Sequence, residues 1–257
     1  MNKIRDSIPN ILETIDIEGI GSKHSGKVRD FYMVGDRRIL ITTDRQSAFN
    51  YNLGLVPYKG AVLNQLSKFW FDRSQNIIPN HMIATPDPES GSHDDERLTG
   101  DEILDKQIIP TELYLQMERV ALELFKLGSD VCKKSGLILV DTKYEFGIYE
   151  DKLIQIDEMH TPDSSRFWIA DTYKKRISNG EEPDNFDKEF LRLYYTTKLG
   201  YKGTGVPQQM SEELTIDLAQ RYIDVYERLT GEKFELFDYP IEDRIRENIA
   251  KYLANNP

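Results

Sequence analysis

Residues 136–168, GLILVDTKYEFGIYEDKLIQIDEMHTPDSSRFW, carry the strongest structural pattern in the chain. They begin with the apolar run 137–140, which is short and rich in branched side chains and therefore predicts a buried strand. Asp141, Lys143 and Glu145 follow at every second position. On one continuous extended strand this spacing would point all three side chains to the same face. The segment is therefore predicted to present a charged face beside a buried strand.

A second strand is predicted at residues 152–156, and it ends at an acidic pair that begins with Asp157. The residues between the strands, Gly147 and the polar run 149–151, predict a hairpin turn. Such a hairpin would bring Glu145 close to Asp157. Because two nearby carboxylates repel each other, a hard divalent cation such as Mg²⁺ is the usual neutralising partner. A surface hairpin with solvated charges is the alternative interpretation.

A polar turn, Thr-Pro-Asp-Ser-Ser-Arg, follows at residues 161–166. The guanidinium of Arg166 has the planar fork geometry that binds phosphate or carboxylate through two parallel hydrogen bonds. Asp163, Ser164 and Ser165 offer further polar groups beside it. This turn is therefore a candidate for binding an anionic substrate.

Nearer the amino terminus, residues 25–32 and 38–43 read as two strands joined by a Gly-Asp turn, which predicts a β-hairpin. Gly26 would permit close approach of the backbone, and Lys27 and Arg29 lie two positions apart on one face. A glycine loop with basic neighbours can cover a triphosphate, although this one is not a Walker A motif.

Helical patterns account for much of the rest of the chain and favour an α+β fold class. Apolar spacing predicts a short helix near residues 8–15, a long helix over 111–134 that ends at Gly136, and a late helix over 212–229. An apolar stripe at every fourth residue from 241 to 253 predicts a further amphipathic helix. This last helix could pack on the body of the chain or on a partner subunit in a homo-oligomer.

Composition limits the classes of function. The 257 residues carry a net charge of −11, which argues against binding to nucleic acid or to an anionic membrane surface. One cysteine excludes an intramolecular disulfide and favours a reducing, cytoplasmic setting. The polar segment after Met1 and the absence of a run of about 20 apolar residues predict a soluble protein.

Four motifs in order, GKVRDFY, TDRQSAF, DTKYEFG and IDEMHTPDSSRFW, closely resemble the SAICAR synthetase family, and the similarity continues through FDKEFLR and YERLTGEKFE. The resemblance implies a two-lobed fold of the ATP-grasp or kinase-like kind with a nucleotide cleft between the lobes. We place the amino-terminal, β-rich lobe at residues 1–85 and the carboxy-terminal α+β lobe at 86–257. It further implies ATP and Mg²⁺ as cofactors, and L-aspartate and a phosphoribosyl nucleotide as small-molecule substrates.

The resemblance also suggests roles for individual residues. Glu145 and Asp157 would hold Mg²⁺ and, with Lys143, form the catalytic group. The ATP phosphates would meet Gly26, Lys27, Arg29 and Lys143. Candidates for substrate contact are Asp44, Arg45, Ser47, Asp163, Ser164, Ser165, Arg166 and Lys188. From spacing alone, the helix face that begins at Lys188 could equally be solvated.

One part of the family pattern is missing. Residues 81–103, HMIATPDPESGSHDDERLTGDEI, read as a linker where the family holds several dozen further residues. Those residues include the adenine-binding hinge and an Arg-Gly-Tyr-Leu-Thr-Gly-Ser-type motif, and neither occurs here. Three explanations remain open: the natural protein has residues that this sequence omits, the protein is a paralogue that has lost its nucleotide or acceptor pocket, or it keeps phosphate chemistry on a different, smaller acceptor.

Overall fold

The structure, a computed structural model, describes residues 2–35, 37–82, 100–186 and 188–256. Within these ranges helices and short antiparallel strands alternate along the chain, which is the expected α+β class. Most of the linker predicted at residues 81–103 lies outside the described residues.

A three-stranded antiparallel sheet forms near the amino terminus from β1 (Lys23–Ser25), β2 (Arg29–Val34) and β3 (Arg37–Thr42). The pairing of Arg29 with Thr42 and of Val34 with Arg37 confirms the predicted hairpin. The glycine loop is the turn between β1 and β2, where the Gly26 N–H donates to the Arg29 carbonyl at 2.6 Å. The sheet therefore holds Arg29 at the first position of its central strand, directly after the loop.

A second hairpin, β4 (Arg45–Ala48) and β5 (Tyr51–Leu55), leads into helix α2 (Lys59–Ser74). Tyr58 precedes this helix with a left-handed φ of 66°. Leu63, Leu66 and Trp70 are buried on one side of α2. The helix packs against a later helix, α7 (Glu212–Thr230), across the main core.

The two long helices agree closely with their sequence patterns. Helix α4 covers Thr111–Lys134, and Gly136 follows it with φ of 70°, a conformation that suits glycine. In α7, the Ser211 side chain caps the first turn by accepting from the Leu214 N–H, and Gly231 ends the helix with φ of 76°. Local caps and periodicity therefore fix both helices.

The central segment differs from the single charged face that we expected. Its strands β6 (Leu137–Thr142) and β9 (Ser165–Ile169) pair with each other, whereas β7 (Glu145–Tyr149) pairs with β8 (Lys152–Ile156) in a separate sheet. The chain leaves the strand geometry between Thr142 and Glu145, so the alternation of side chains does not continue from Asp141 to Glu145. Gly147 lies inside β7, and the turn is made by Glu150 and Asp151, both with positive φ.

The amino-terminal helix is shorter than expected. Helix α1 ends at Ser7, a 3-10 turn covers Ile8–Asn10, and residues 11–17 run without helix while Leu12 and Ile15 are buried. The helical prediction over residues 8–15 was therefore wrong. The remaining helical elements are α3 (Gly100–Asp105), α5 (Ala170–Ser178), α6 (Lys188–Leu193), a π-helical turn (Tyr194–Lys198) and α8 (Glu242–Asn255).

Two hydrophobic clusters support these elements. The larger joins α2, α4, α7 and the central strands, and the smaller joins Leu12, Ile15 and Ile41 to Ile245 and Ile249 of α8. The apolar stripe of α8 thus packs on the body of its own chain. Both clusters combine residues from before and after position 85, the boundary that we predicted between lobes. Among the described helices, none has the length and apolar character needed to cross a membrane.

Candidate functional site

A group of largely buried charges forms where β2 meets the end of β8. The Arg29 guanidinium reaches Asp157 Oδ1 at 3.1 Å through Nη1 and Glu158 Oε1 at 2.9 Å through Nη2. The side chains of Arg29, Asp157 and Glu158 are 9%, 14% and 12% exposed. Because each charge is largely removed from water, the attraction between them is weakly screened, and loss of either partner would leave a buried charge without compensation.

Glu145 and Lys143 extend this acidic group. Lys143 Nζ lies 2.6 Å from Glu145 Oε1. Burial raises the pKa of Asp157 above its usual range, the Arg29 guanidinium opposes this, and the neighbouring charges of Glu158 and Glu145 raise the pKa further. Glu145 therefore lies close enough to act electrostatically on Asp157, as the predicted hairpin implies.

The donor set of this acidic group suits a hard cation. Carboxylate oxygens are the ligands that Mg²⁺ prefers, and Mg²⁺ usually keeps several waters while binding one or two protein carboxylates and substrate phosphates. No group of three or more acidic, histidine or cysteine side chains arranged to hold a metal occurs among the described residues. Glu145 and Asp157 fit a site of the two-carboxylate kind.

The polar turn after β8 is organised by Thr161, which is fully buried. Its hydroxyl donates to Glu158 Oε2 at 3.0 Å and accepts from the backbone N–H groups of Asp163 and Ser164, each at 3.3 Å. The Thr161 carbonyl also accepts from the Ser165 N–H at 2.9 Å. The turn is therefore tied directly to the acidic group that binds Arg29.

Asp163 anchors this turn to two helices. Its Oδ2 lies 2.9 Å from Nζ of Lys59, the first residue of α2, whose side chain is fully buried. Its Oδ1 accepts a short hydrogen bond from the Tyr222 hydroxyl on α7. The Tyr222 hydroxyl also lies 3.1 Å from Gln46 Oε1 on β4. Both carboxylate oxygens of Asp163 thus have partners within the protein.

Ser164, Ser165 and Arg166 differ in environment. Ser165 is buried and donates to the Thr142 hydroxyl at 2.7 Å, whereas Ser164 is partly exposed. Arg166 forms a bidentate ion pair with Asp141 on the neighbouring strand, and both side chains are about half exposed. The guanidinium fork that we expected to meet a substrate phosphate is paired with this carboxylate in the structure.

The Asp44-Arg45 pair is also bound within the protein. Asp44 is 2% exposed and accepts from the N–H groups of Leu12 and Gly60 and from the Tyr239 hydroxyl, at 3.3, 3.0 and 2.7 Å. Arg45 donates to the Thr43 hydroxyl and to Asp30, both at 2.8 Å. These contacts favour a scaffold role for both residues over direct contact with a substrate.

The other predicted residues lie at edges of these elements. Gly26 and Lys27 are exposed in the β1–β2 turn that precedes Arg29. Ser47 is partly exposed on β4 beside a register shift, and Lys188 is the first residue of α6. Lys27 is therefore an exposed lysine two positions before Arg29.

Sequence reasoning missed Lys59, Tyr222 and Gln46 as members of this network. Lys59 lies in a Lys-Gly pair whose glycine packs tightly, since a Cβ on Gly60 would approach the Thr42 carbonyl oxygen to 2.5 Å. A lysine at the start of an otherwise apolar helix face was the available signal. Tyr222 and Gln46 look like ordinary residues of an amphipathic helix and a strand, and nothing in their spacing marks them.

Comparison with known proteins yields consistent similarities. The SAICAR synthetase family model matches residues 22–93 and 83–207. A phosphoribosylaminoimidazole-succinocarboxamide synthase of Legionella pneumophila (strain Paris) is 38% identical over 302 positions, covering 91% of this chain and 96% of that protein. The solved SAICAR-synthase from Saccharomyces cerevisiae complexed with SAICAR is similar with a TM-score of 0.73 and 25% identity, over 87% of this chain and 99% of that one.

A further solved structure, a SAICAR synthetase (Type-2) in complex with ADP, shares the fold with a TM-score of 0.60 at 21% identity, over 83% of this chain and 100% of that one. The Legionella alignment spans 302 positions, more than the 257 residues of the whole chain, so it includes positions that this chain lacks. The two family-model segments meet at residues 83–93, where the sequence analysis places the missing residues. On this similarity in sequence and fold, the chain belongs to the SAICAR synthetase family of purine-biosynthesis ligases.

Proposed function

We propose that the chain joins L-aspartate to the carboxylate of carboxyaminoimidazole ribonucleotide, with ATP consumed and SAICAR, ADP and phosphate released. The observation that carries this proposal is the convergence of Arg29 with Asp157 and Glu158, next to the Lys143–Glu145 pair. Acidic metal ligands beside basic groups are what phosphoryl transfer requires, since its catalysis depends on alignment and charge neutralisation.

The reaction balances in two steps. A bond forms between a carboxylate oxygen of the nucleotide and the γ-phosphorus of ATP, and the bond from that phosphorus to ADP breaks. The aspartate amine then attacks the activated carbonyl carbon, phosphate leaves, and the nitrogen loses a proton to give the amide. When bound, Mg²⁺ would supply charge neutralisation on the triphosphate.

The residues of the chain would divide this work. Glu145 and Asp157 would hold the cation, and Lys27, Arg29 and Lys143 would offset the phosphate charge. Arg29 already contacts both carboxylates of the acidic pair, so it would also fix their orientation. Ser164 would face the substrate from the Thr161-centred turn, with Arg166 and Lys188 as further candidates for anion contact.

The direct test incubates the purified chain with carboxyaminoimidazole ribonucleotide, L-aspartate and MgATP. The expected result is SAICAR formed in equal amount to ADP and phosphate, measured by chromatography, and none when aspartate is omitted. Calorimetric titration with MgATP gives a second measurement. Absence of both turnover and MgATP binding would contradict the ligase proposal for this chain.

A second candidate is a paralogue with impaired or altered activity. The observation that favours it is the set of aligned positions that this chain lacks, because the adenine hinge and the Arg-Gly-Tyr-Leu-Thr-Gly-Ser-type motif are expected there. Such a protein would bind a nucleotide without forming SAICAR, or would use another acceptor. MgATP binding without SAICAR formation, followed by phosphate release with a different carboxylate, would support it.

A further inference from the structure

Lys59 is a buried lysine whose surroundings hold its side chain in one place. Its side chain is fully buried at the start of α2, yet it carries a charge that is costly to bury without a partner. Nζ lies 2.9 Å from Asp163 Oδ2 and 5.7 Å from the centre of the Tyr222 ring, where the ring face attracts a cation. The ion pair with Asp163 offsets much of this cost, so Lys59 and Asp163 fix each other.

Hydrogen bonds link Asp163 to the other residues of the turn. The Thr161 hydroxyl accepts from the N–H groups of both Asp163 and Ser164, and the Ser164 carbonyl accepts from the Lys143 N–H at 3.1 Å. The same hydroxyl reaches Glu158 at 3.0 Å. A shift of Asp163 would therefore move Ser164, and it would disturb the backbone at Lys143.

The turn is held from a second direction by α7. The Tyr222 hydroxyl donates to Asp163 and lies 3.1 Å from Gln46 Oε1, and Gln46 is fully buried on β4. The charge of Lys59 also acts on Asp44, just before β4. Lys59 thus lies where the two segments that resemble substrate-binding motifs, residues 43–49 and 161–166, approach each other.

We propose that Lys59 is a positioning residue that fixes the 161–166 turn against α2 and β4, so that Ser164 meets the phosphorylated substrate in a preset geometry. This inference rests on the proposed ligase function. Lys59 does not contact the reacting atoms in this proposal. It acts through Asp163.

The test compares Lys59→Met with Lys68→Met. Lys68 is a matched control because it lies on the same helix, is about half exposed and pairs only with Asp72 among the contacts described for it. Lys59→Met is expected to raise KM for carboxyaminoimidazole ribonucleotide about tenfold or more, and KM for MgATP by a smaller factor, because the Ser164 carbonyl also accepts from the Lys143 N–H. A variant that is merely unstable would lower the apparent kcat through its unfolded fraction and leave KM unchanged.

Amide hydrogen exchange provides a second test that does not depend on enzymatic activity. In the ligand-free protein, Lys59→Met is expected to speed exchange of the Ser164 and Ser165 amides about tenfold. The exchange rates of the α4 amides are expected to stay the same. Tyr222→Phe, which removes one hydroxyl and keeps the charge pair, is expected to speed exchange of the two serine amides to a smaller extent, and it serves if Lys59→Met does not fold.

The outcomes are distinct. Unchanged KM and unchanged exchange in a folded Lys59→Met variant would overturn the inference, as would faster exchange spread evenly over the whole protein. If the wild-type chain forms no SAICAR, the proposed function fails, and the exchange measurement still decides whether Lys59 fixes the turn.

Discussion

Arg29, at the start of β2, lies 3.1 Å from Asp157, at the end of β8, although 128 residues separate them along the chain. Glu158 shares the same guanidinium at 2.9 Å. One buried cation therefore joins the amino-terminal sheet to the acidic end of the central hairpin. The functional proposal depends on this junction, and so do the first two predictions below.

Asp157→Asn is expected to reduce nucleotide-dependent turnover by about a hundredfold or more, because the charge that would bind the cation is lost. The fold should be kept, since Asp157 has φ of 59° and asparagine tolerates that conformation. A coupled ADP assay measures turnover, and circular dichroism checks the fold. Asp151→Asn, at the exposed hairpin turn with the same φ of 59°, is the control. Wild-type turnover in Asp157→Asn would refute the metal role.

Arg29→Met is expected to lower the free energy of unfolding by about 3–5 kcal/mol, because two largely buried carboxylates lose their common partner. Urea denaturation measures the change. Arg5 is a matched control, since its ion pair with Glu212 is more than half exposed, and Arg5→Met should cost no more than about 1 kcal/mol. Equal changes in the free energy of unfolding for the two substitutions would contradict the prediction that burial makes the Arg29 ion pairs more important for stability than the exposed pair of Arg5.

His160 should make the protein sensitive to acid. Burial lowers the pKa of His160 from its ordinary value of 6.5 to about 3, so below pH 6.5 the unfolded chain binds a proton that the folded protein excludes. Stability from this group is fully present above pH 6.5 and declines as the pH falls toward 3. Between pH 6.5 and 4.5 the loss should be about 2 kcal/mol.

His160→Asn should remove this part of the decline, measured by urea denaturation over a series of pH values. Asparagine suits the position because His160 has φ of 52°. His24→Asn, at an exposed site on β1, should leave the profile unchanged. A wild-type profile in His160→Asn would contradict the assignment.

Ile249→Ala is expected to cost about 2–5 kcal/mol of unfolding free energy, because Ile249 is fully buried where α8 packs against β3 and the segment before β1. Ile177→Ala, at a side chain that is 50% exposed, should cost within about 0.5 kcal/mol. Thermal unfolding at several protein concentrations gives the measurement. A loss that depends on concentration would indicate that α8 stabilises an interface between chains.

Local patterns predicted the long helices and the hairpins well, because caps, periodicity and turn residues act over a few positions. The failures had a common cause. Residues 8–15 carry helical spacing, but Pro9 and the burial of Leu12 and Ile15 against α8 favour an extended path. The strand from Leu137 was expected to continue to Glu145, but pairing with β9 holds only its first part.

The candidate site was predictable by residue type and only partly by contact. Glu145 and Asp157 come close as the hairpin predicted, since Glu145 pairs with Ile156, the residue before Asp157. Arg166 was expected to face a phosphate, yet its neighbour across the β6–β9 pair is Asp141, which competes for the same guanidinium. The Lys59-Gly60 pair resembles the Gly-Lys-Gly loop of the family, but nothing in that motif marks Lys59 as the partner of Asp163.

The sequence by itself determined the family motifs, the span of α4 and α7, and the hairpin that carries Glu145 and Asp157, because each depends on neighbours a few residues apart. The tertiary structure decided which charges meet: Arg29 with Asp157, Lys59 with Asp163, and Arg166 with Asp141. Those pairings depend on how whole strands and helices pack. The sequence shows which charged groups exist. Packing determines which of them lie close together and are buried, and therefore which of them pair.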